Sequence, residues 1–238
     1  MPLGAWRLNG LSKYVPSVGY TPASLNTESA STATRLQSNS SLTFGTGDFT
    51  WEAWVYVTID FSTTGTNIIH MGTSNADTSD VRLTVGSSTN NFAFRVGGSG
   101  GTTVQGTTIW SLNTWYHVAL VRSSGTVSMY VNGTQEGSTP TFTTNLAARD
   151  IGIGRLTYAA VRAMPGNIDE VRISSVARYT SNFTPSTTAF TDDSDTLTLL
   201  HMDNYSGTTV YDDNSSGRSA LDYTLYGGAF IDTTDYKF

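Results

Sequence analysis

The stretch GNIDEVRISSVARYTSNFTP, residues 166–185, sets Asp169, Glu170 and Arg172 among Ile168, Val171 and Ile173. Adjacent carboxylates beside an arginine can serve as an active site, as a metal site, or as a latch that holds a sheet together. In a strand, neighbouring side chains point to opposite faces, so Asp169 and Glu170 cannot form one acid/base dyad between them. Asp169 alternates in phase with Val171 and Ile173, and is expected to point into an inter-sheet layer. There it needs backbone N–H or side-chain donors. Glu170 and Arg172 share the opposite face as a modest ion pair. The three together read as a structural latch.

Three other groups invite chemistry. The polar segment TSNADTSD carries Asn75, Asp77 and Asp80, oxygen donors of the kind calcium takes from loops. A solvated polar loop is the simpler account and the one retained, so no cofactor is expected. His70, His117 and His201 are isolated, without i,i+4 pairing or a Cys partner, so metal-ligand spacing is missing. His117, inside WYHVALV, reads as a structural histidine. Asn75, Trp110, Arg155 and Tyr158 fall in expected loops, where an aromatic platform with hydrogen-bonding groups suits either a glycan or a neighbouring subunit. The chain has no P-loop or dinucleotide fingerprint.

The elements that must position these residues are strands. Of 238 residues only 13% are charged, about half the usual share, and 11% are aromatic. With Thr and Ser abundant and 23 Gly, this is a β-rich profile with frequent turns. In SLTFGTGDFTWEAWVYVT, Phe49, Trp51, Ala53, Val55 and Val57 share one parity. Trp54 and Tyr56 interrupt the polar parity, so that second face is expected to be covered too. NIIHMG, VRLTVG and NFAFRVGG are further short strands. WYHVALVRSSGTVSMYVNGTQEG holds two tight turns, the second at Asn132-Gly133. No window has a helical period, so any helix should be one or two turns.

Residues 1–40 read as an arm or edge strands, 41–190 as the sandwich core, and 191–238 as a strand-rich extension. That extension holds nine of the fifteen Asp residues, yet apolar and aromatic residues recur through it, unlike a disordered acidic tail. It either completes the sandwich or packs on a neighbouring subunit. The net charge of −6 offers no basic stripe for nucleic acid. Without Cys, disulfides and thiolate chemistry are excluded. No export signal and no apolar run of membrane-spanning length is visible, so membrane insertion is not expected.

From about residue 41 to 185, four blocks in order resemble the laminin-G-like branch of the concanavalin A-like lectin/glucanase superfamily. They are GDFTWEAWV (47–55), WYHVALVRSSGTVSMYVNG (115–133), IGIGR (151–155) and GNIDEVRISSVARYTSNFTP (166–185). The resemblance implies an all-β jelly-roll sandwich of two curved antiparallel sheets, here with strand-rich terminal extensions. The ARYTSNFTP tail and TLTLLHMDNYSGTTVYDDNSSG (196–217) look like laminin-G-like domains in structural proteins of tailed bacteriophages. In such relatives the latter kind of segment opens the domain, whereas here it follows the core.

The superfamily contains glucanases, whose carboxyl groups sit on one strand in an E-x-D-x-x-E pattern. None of Glu28, Glu52, Glu136 and Glu170 begins one, so an enzyme is not expected. Asn75, Asp77 and Asp80 are placed like the first calcium loop of the related pentraxins. The loop that would supply further carboxylates, RLTYAAVRAM (155–164), has two arginines and no acid. The leading expectation is a non-enzymatic virion protein of a tailed phage that decorates the capsid surface. It would be a homo-oligomer, with a trimer as the guess, bound to capsid or other virion proteins and released by lysis. The chain beginning at Met, with no export signal, fits that expectation. The rival is a glycan-binding receptor or adhesion module of a tail fibre or cell surface; a polysaccharide-active enzyme is a distant third.

Overall fold

The computed structural model describes residues 22–27, 34–59, 66–85, 90–159, 163–213 and 221–238. Of the arm or edge strands expected over residues 1–40, residues 1–21 and 28–33, with Glu28, lie outside these, as do Arg162 and Arg218.

Among the described residues seventeen strands follow in order. The first half holds β1 (Ser24–Asn26), β2 (Arg35–Ser38), β3 (Phe49–Val57), β4 (Thr66–Met71), β5 (Val81–Val85), β6 (Asn91–Val96), β7 (Thr102–Ile109) and β8 (Trp115–Ser123). The second holds β9 (Thr126–Val131), β10 (Thr134–Glu136), β11 (Ile151–Ile153), β12 (Gly166–Ser174), β13 (Thr196–Leu200), β14 (Tyr205–Ser206), β15 (Thr209–Val210), β16 (Tyr223–Tyr226) and β17 (Phe230–Asp232). Among the described residues the one helical element is a 3-10 turn, Gly98–Gly100.

Two antiparallel sheets result. The first runs β10-β9-β8-β3-β12-β1-β17, with β13 also on β12; the second runs β14-β15-β16-β2-β11-β4-β5-β6-β7. The fold is the expected all-β jelly-roll sandwich. Strands from residues 191–238 enter both sheets: β13 pairs with β12, β16 with β2, and β17 with β1.

The apolar parity of β3 decides which way it faces. Phe49, Trp51, Ala53, Val55 and Val57 are fully buried against the second sheet's Leu36, Ile69, Met71, Leu83 and Phe94. Asn132 and Gly133 both take positive φ, 48° and 77°, as a tight β9–β10 turn requires. A Cβ on Gly133 would collide with the Phe183 carbonyl, and Phe183 N–H donates to the Gly133 carbonyl at 2.9 Å. The hairpin glycine is therefore also the docking point of the segment that follows β12.

That segment, residues 175–195, closes the outer face of the first sheet. Tyr179 and Phe183 stack with ring centroids 3.5 Å apart and pack on Ala119, Val121 and Tyr130. Beside them Trp54, Phe190 and Leu199 form a second small cluster with Trp115 and Phe238.

The outer face of the second sheet is different. Its register aligns Thr224, Gln37, Gly152, His70, Arg82, Arg95 and Thr103 across seven neighbouring strands. Their neighbours Leu36, Ile69, Leu83, Phe94 and Val104 face inward. One sheet thus presents a covered aromatic face and the other a polar row.

Candidate functional site

The opening residues do not sit as alternation predicts. Between Asp169 and Arg172 the register with β3 slips: Asp169 lies opposite Trp54 and Arg172 opposite Glu52, leaving an extra residue in β12. Glu170 absorbs the bulge with φ 50°. Asp169 therefore turns to the outer face beside Trp54, not into the inter-sheet layer, while Val171 and Ile173 still face the core.

The expected Glu170–Arg172 pair is corrected by the same bulge. Arg172 pairs with Glu52 at 2.7 Å, and Glu52 also takes hydrogen bonds from Tyr179 at 2.7 Å and His117 at 3.1 Å. Glu170 instead meets His201 Nδ1 at 2.7 Å and accepts the Phe190 N–H at 2.6 Å. Asp169 accepts the N–H groups of Glu170 and Lys237, at 2.7 and 2.8 Å. Burial, and then the neighbouring Glu170 charge, push its pKa well above the ordinary carboxylate value. Every carboxylate here is buried and engaged by the segments that cover the face.

The open chemistry lies on the polar row of the second sheet. Gly152 lies opposite both Gln37 and His70, and its missing side chain leaves room for Thr157 to fold back over β11. Thr157 N–H donates to His70 Nδ1 at 3.1 Å, so His70 Nε2 carries the proton facing Asp80 at 3.2 Å. Burial lowers the His70 pKa and keeps the ring neutral. Although burial opposes ionisation of Asp80, hydrogen bonds from His70 and Arg82 hold its pKa below the usual value.

Asn75 and Tyr158 are brought together here. Asn75 Oδ1 accepts from Arg82 Nη2 at 2.5 Å and from the Tyr158 hydroxyl at 3.0 Å, and that hydroxyl also donates to Asp80 at 3.3 Å. Arg155 and Trp110 do not join them. Arg155 is buried, with its Nε on the Leu156 carbonyl at 3.3 Å. Trp110 is a core residue, 4% exposed, because its N–H ties back to the Asn90 carbonyl and tucks the ring between the sheets.

The calcium set does not fit a hard cation. Asp77 is held by Arg149 at 2.7 Å and by Thr73 N–H at 3.0 Å; Arg149 draws its pKa far below the carboxylate range. Asp80 is held by Arg82 at 2.6 Å. Two guanidinium groups supply the positive charge that calcium would bring, and side-chain oxygens of all three residues are turned toward them. Among the described residues no group of three or more acidic or histidine side chains is placed to hold a metal.

Beside this cluster lies an open recess of about 380 Å³. Tyr158 and Thr157 wall one side, Thr73 and Gly72 another, and Gln37, Ser41, Arg149 and Asp150 the rest. Gln37, Ser41, Arg149 and Asp150 were not anticipated from sequence. The one available signal was Arg149-Asp150, an adjacent pair of opposite charges just before the IGIGR strand of a charge-poor chain.

Comparison with known proteins agrees with this architecture. In solved structures, the chain matches a candidate carbohydrate-binding protein from Bacteroides ovatus with TM-score 0.63 and 21% identity, over 91% of this chain and 61% of that one. It matches the heptameric SAP-like pentraxin from Limulus polyphemus with TM-score 0.57 and 15% identity, over 91% and 97% of the two chains. The enzymatically active domain of tailspike protein 2 from bacteriophage CBA120 matches with TM-score 0.52 and 16% identity, over 69% and 28%. At these identities the likeness is one of fold. The chain spans less than two thirds of the Bacteroides protein. No curated protein matches it in sequence. The family model Laminin_G_3 matches residues 28–182, and the chain accordingly belongs to this laminin-G-like family of the concanavalin A-like lectin/glucanases superfamily.

Proposed function

We propose that the protein is a non-enzymatic glycan-binding module whose site is the recess walled by Tyr158. The observation that carries this reading is the composition of the recess. One aromatic wall stands among fixed polar groups on an otherwise open sheet face, within a volume suited to about one or two sugar rings. The buried carboxylates of the other sheet face are covered by aromatic side chains and leave no cleft for a hydrolytic pair. The fold likeness to the Bacteroides carbohydrate-binding candidate is in keeping with this.

A glycan array probed with the intact protein tests the proposal. Tyr158→Ala should weaken the strongest interaction at least about tenfold, the cost of losing one aromatic contact surface. Unchanged binding by folded Tyr158→Ala protein would move the site elsewhere.

A second reading concerns where the module works: on a tailed-phage virion, as a homo-oligomeric capsid decoration protein or tail component released by lysis. It is supported by the ARYTSNFTP resemblance, by the tailspike fold match, and by exposed Tyr205, Tyr226 and Phe230 around a recess of about 500 Å³ at edge strands. Mass spectrometry of intact and tail-stripped particles separates the two locations. Protein lost with the tails would sink capsid decoration.

A further inference from the structure

We propose that Asp150 makes the recess selective for uncharged or amino sugars and against acidic ones. The inference rests on the glycan-binding reading of the site and names the ligand class that reading leaves open.

The argument is one of local charge. Four charged side chains near the recess cancel in pairs. Arg149 spans Asp77 with Nε at 2.7 Å and Nη2 at 3.3 Å, and turns Nη1 to the Ala148 carbonyl at 2.8 Å. Arg82 holds Asp80 with Nε at 2.6 Å and Nη2 at 3.0 Å. Asp150 is in no ion pair among the described residues. Its partners are neutral: Ser41 Oγ donates to Oδ1 at 2.8 Å and Gln37 Nε2 to Oδ2 at 3.2 Å.

Gln37 is itself oriented, because Arg35 Nε donates to its Oε1 at 2.7 Å and leaves the amide nitrogen for Asp150. The carboxylate is thereby held in one orientation at the wall of the recess. Each oxygen takes one bond from a neutral donor and keeps capacity for a second. Two adjacent sugar hydroxyls can donate to such a pair of oxygens, and an ammonium group can do so with added charge attraction. A uronate or sialic acid carboxylate would instead be repelled by a carboxylate that no direct ion pair neutralises, since Arg35 reaches Asp150 only through the Gln37 amide. Arg149 does not reverse this, since its charge is already matched by Asp77.

The test compares classes on an array of neutral, glucosamine-containing and uronate- or sialate-containing oligosaccharides, with calorimetry on the best of each. Neutral and amino sugars should bind at least about tenfold more tightly than acidic ones, the scale of one charge-assisted hydrogen bond. The isosteric Asp150→Asn should weaken neutral-sugar binding by a similar factor and narrow the gap to acidic sugars, with an unchanged circular dichroism spectrum. Preference of the wild-type protein for acidic sugars, sensitive to Tyr158→Ala, would overturn the Asp150 inference and leave glycan binding standing. So would an unaltered selectivity in folded Asp150→Asn protein. No binding to any class would overturn the glycan reading, and this inference with it.

Discussion

Arg172 shows how a residue chosen for its chemistry can serve structure instead. Its guanidinium meets Glu52, a fully buried carboxylate that also binds His117 and Tyr179, and lies 4.4 Å over the Phe190 ring. Removing one member of a buried charge pair strands the other without water or counter-charge. Arg172→Met should therefore destabilise the protein by about 3–5 kcal/mol. The double variant Glu52→Gln/Arg172→Met should recover at least about 1 kcal/mol of that loss, because no buried charge is then left alone. Chemical denaturation of these two variants and of the single variant Glu52→Gln measures both quantities, and strict additivity would show that the pair is not coupled. The sequence made Asp169, Glu170 and Arg172 visible as a group and pointed to backbone N–H donors for Asp169, but it paired Glu170 and Arg172 with each other where the structure pairs them with His201 and Glu52. One residue in a left-handed conformation, Glu170, separates the two outcomes, and its side-chain type carries no mark of it.

At the level of elements, the C-terminal extension is held by groups that favour protonation. Burial raises the Asp213 carboxyl to about 6 and lifts Asp169 well above its ordinary value. Burial works against a charged His201, but the Glu170 hydrogen bond outweighs it and raises that pKa as well. The sign follows from linkage. Folded Asp213 keeps its proton up to about pH 6, whereas the unfolded chain releases it near pH 4, so stability declines as pH rises through that interval. His201 acts in the same direction, its stabilisation present at acid pH and lost as pH rises through its folded pKa. The stability of wild type minus that of Asp213→Asn should fall, by on the order of 2 kcal/mol, between pH 4 and pH 7. Urea denaturation at stepped pH checks this, and a flat difference would show that Asp213 is not perturbed. Asp77 and Asp193 have lowered pKa values from their arginine partners, so what they contribute is lost only in stronger acid.

At the scale of the whole molecule, the two faces of the sandwich are used unequally. The first sheet's outer face is closed by residues 175–195 and by Phe238, and the second sheet's outer face carries the polar row and the recess. Tyr226 and Phe230, 42% and 50% exposed, stand at the β16–β17 turn beside Tyr205 of the edge strand β14. Apolar side chains at open strand edges suit addition of a neighbour's strand or surface. If the homo-oligomer proposed for a virion protein forms through this edge, sedimentation will show an assembly that Tyr226→Ser/Phe230→Ser converts to monomer. A wild-type monomer at micromolar concentration would remove that proposal.

The sequence by itself determined the layers. Alternating Phe49, Trp51, Ala53, Val55 and Val57, and the Asn132-Gly133 turn, are local signals, because strand periodicity and turn φ angles depend on a few adjacent residues. They made the β-sandwich legible, along with the family resemblance. Tertiary structure alone decided the site. Gln37, Thr73, Asp150 and Tyr158 come from four separate segments and meet because β2, β11 and β4 pair in that order. It also decided that Trp110 is core and that arginines take the place of a cation beside Asp77 and Asp80. Such convergence depends on which strands become neighbours, a long-range outcome that no short window of residues encodes.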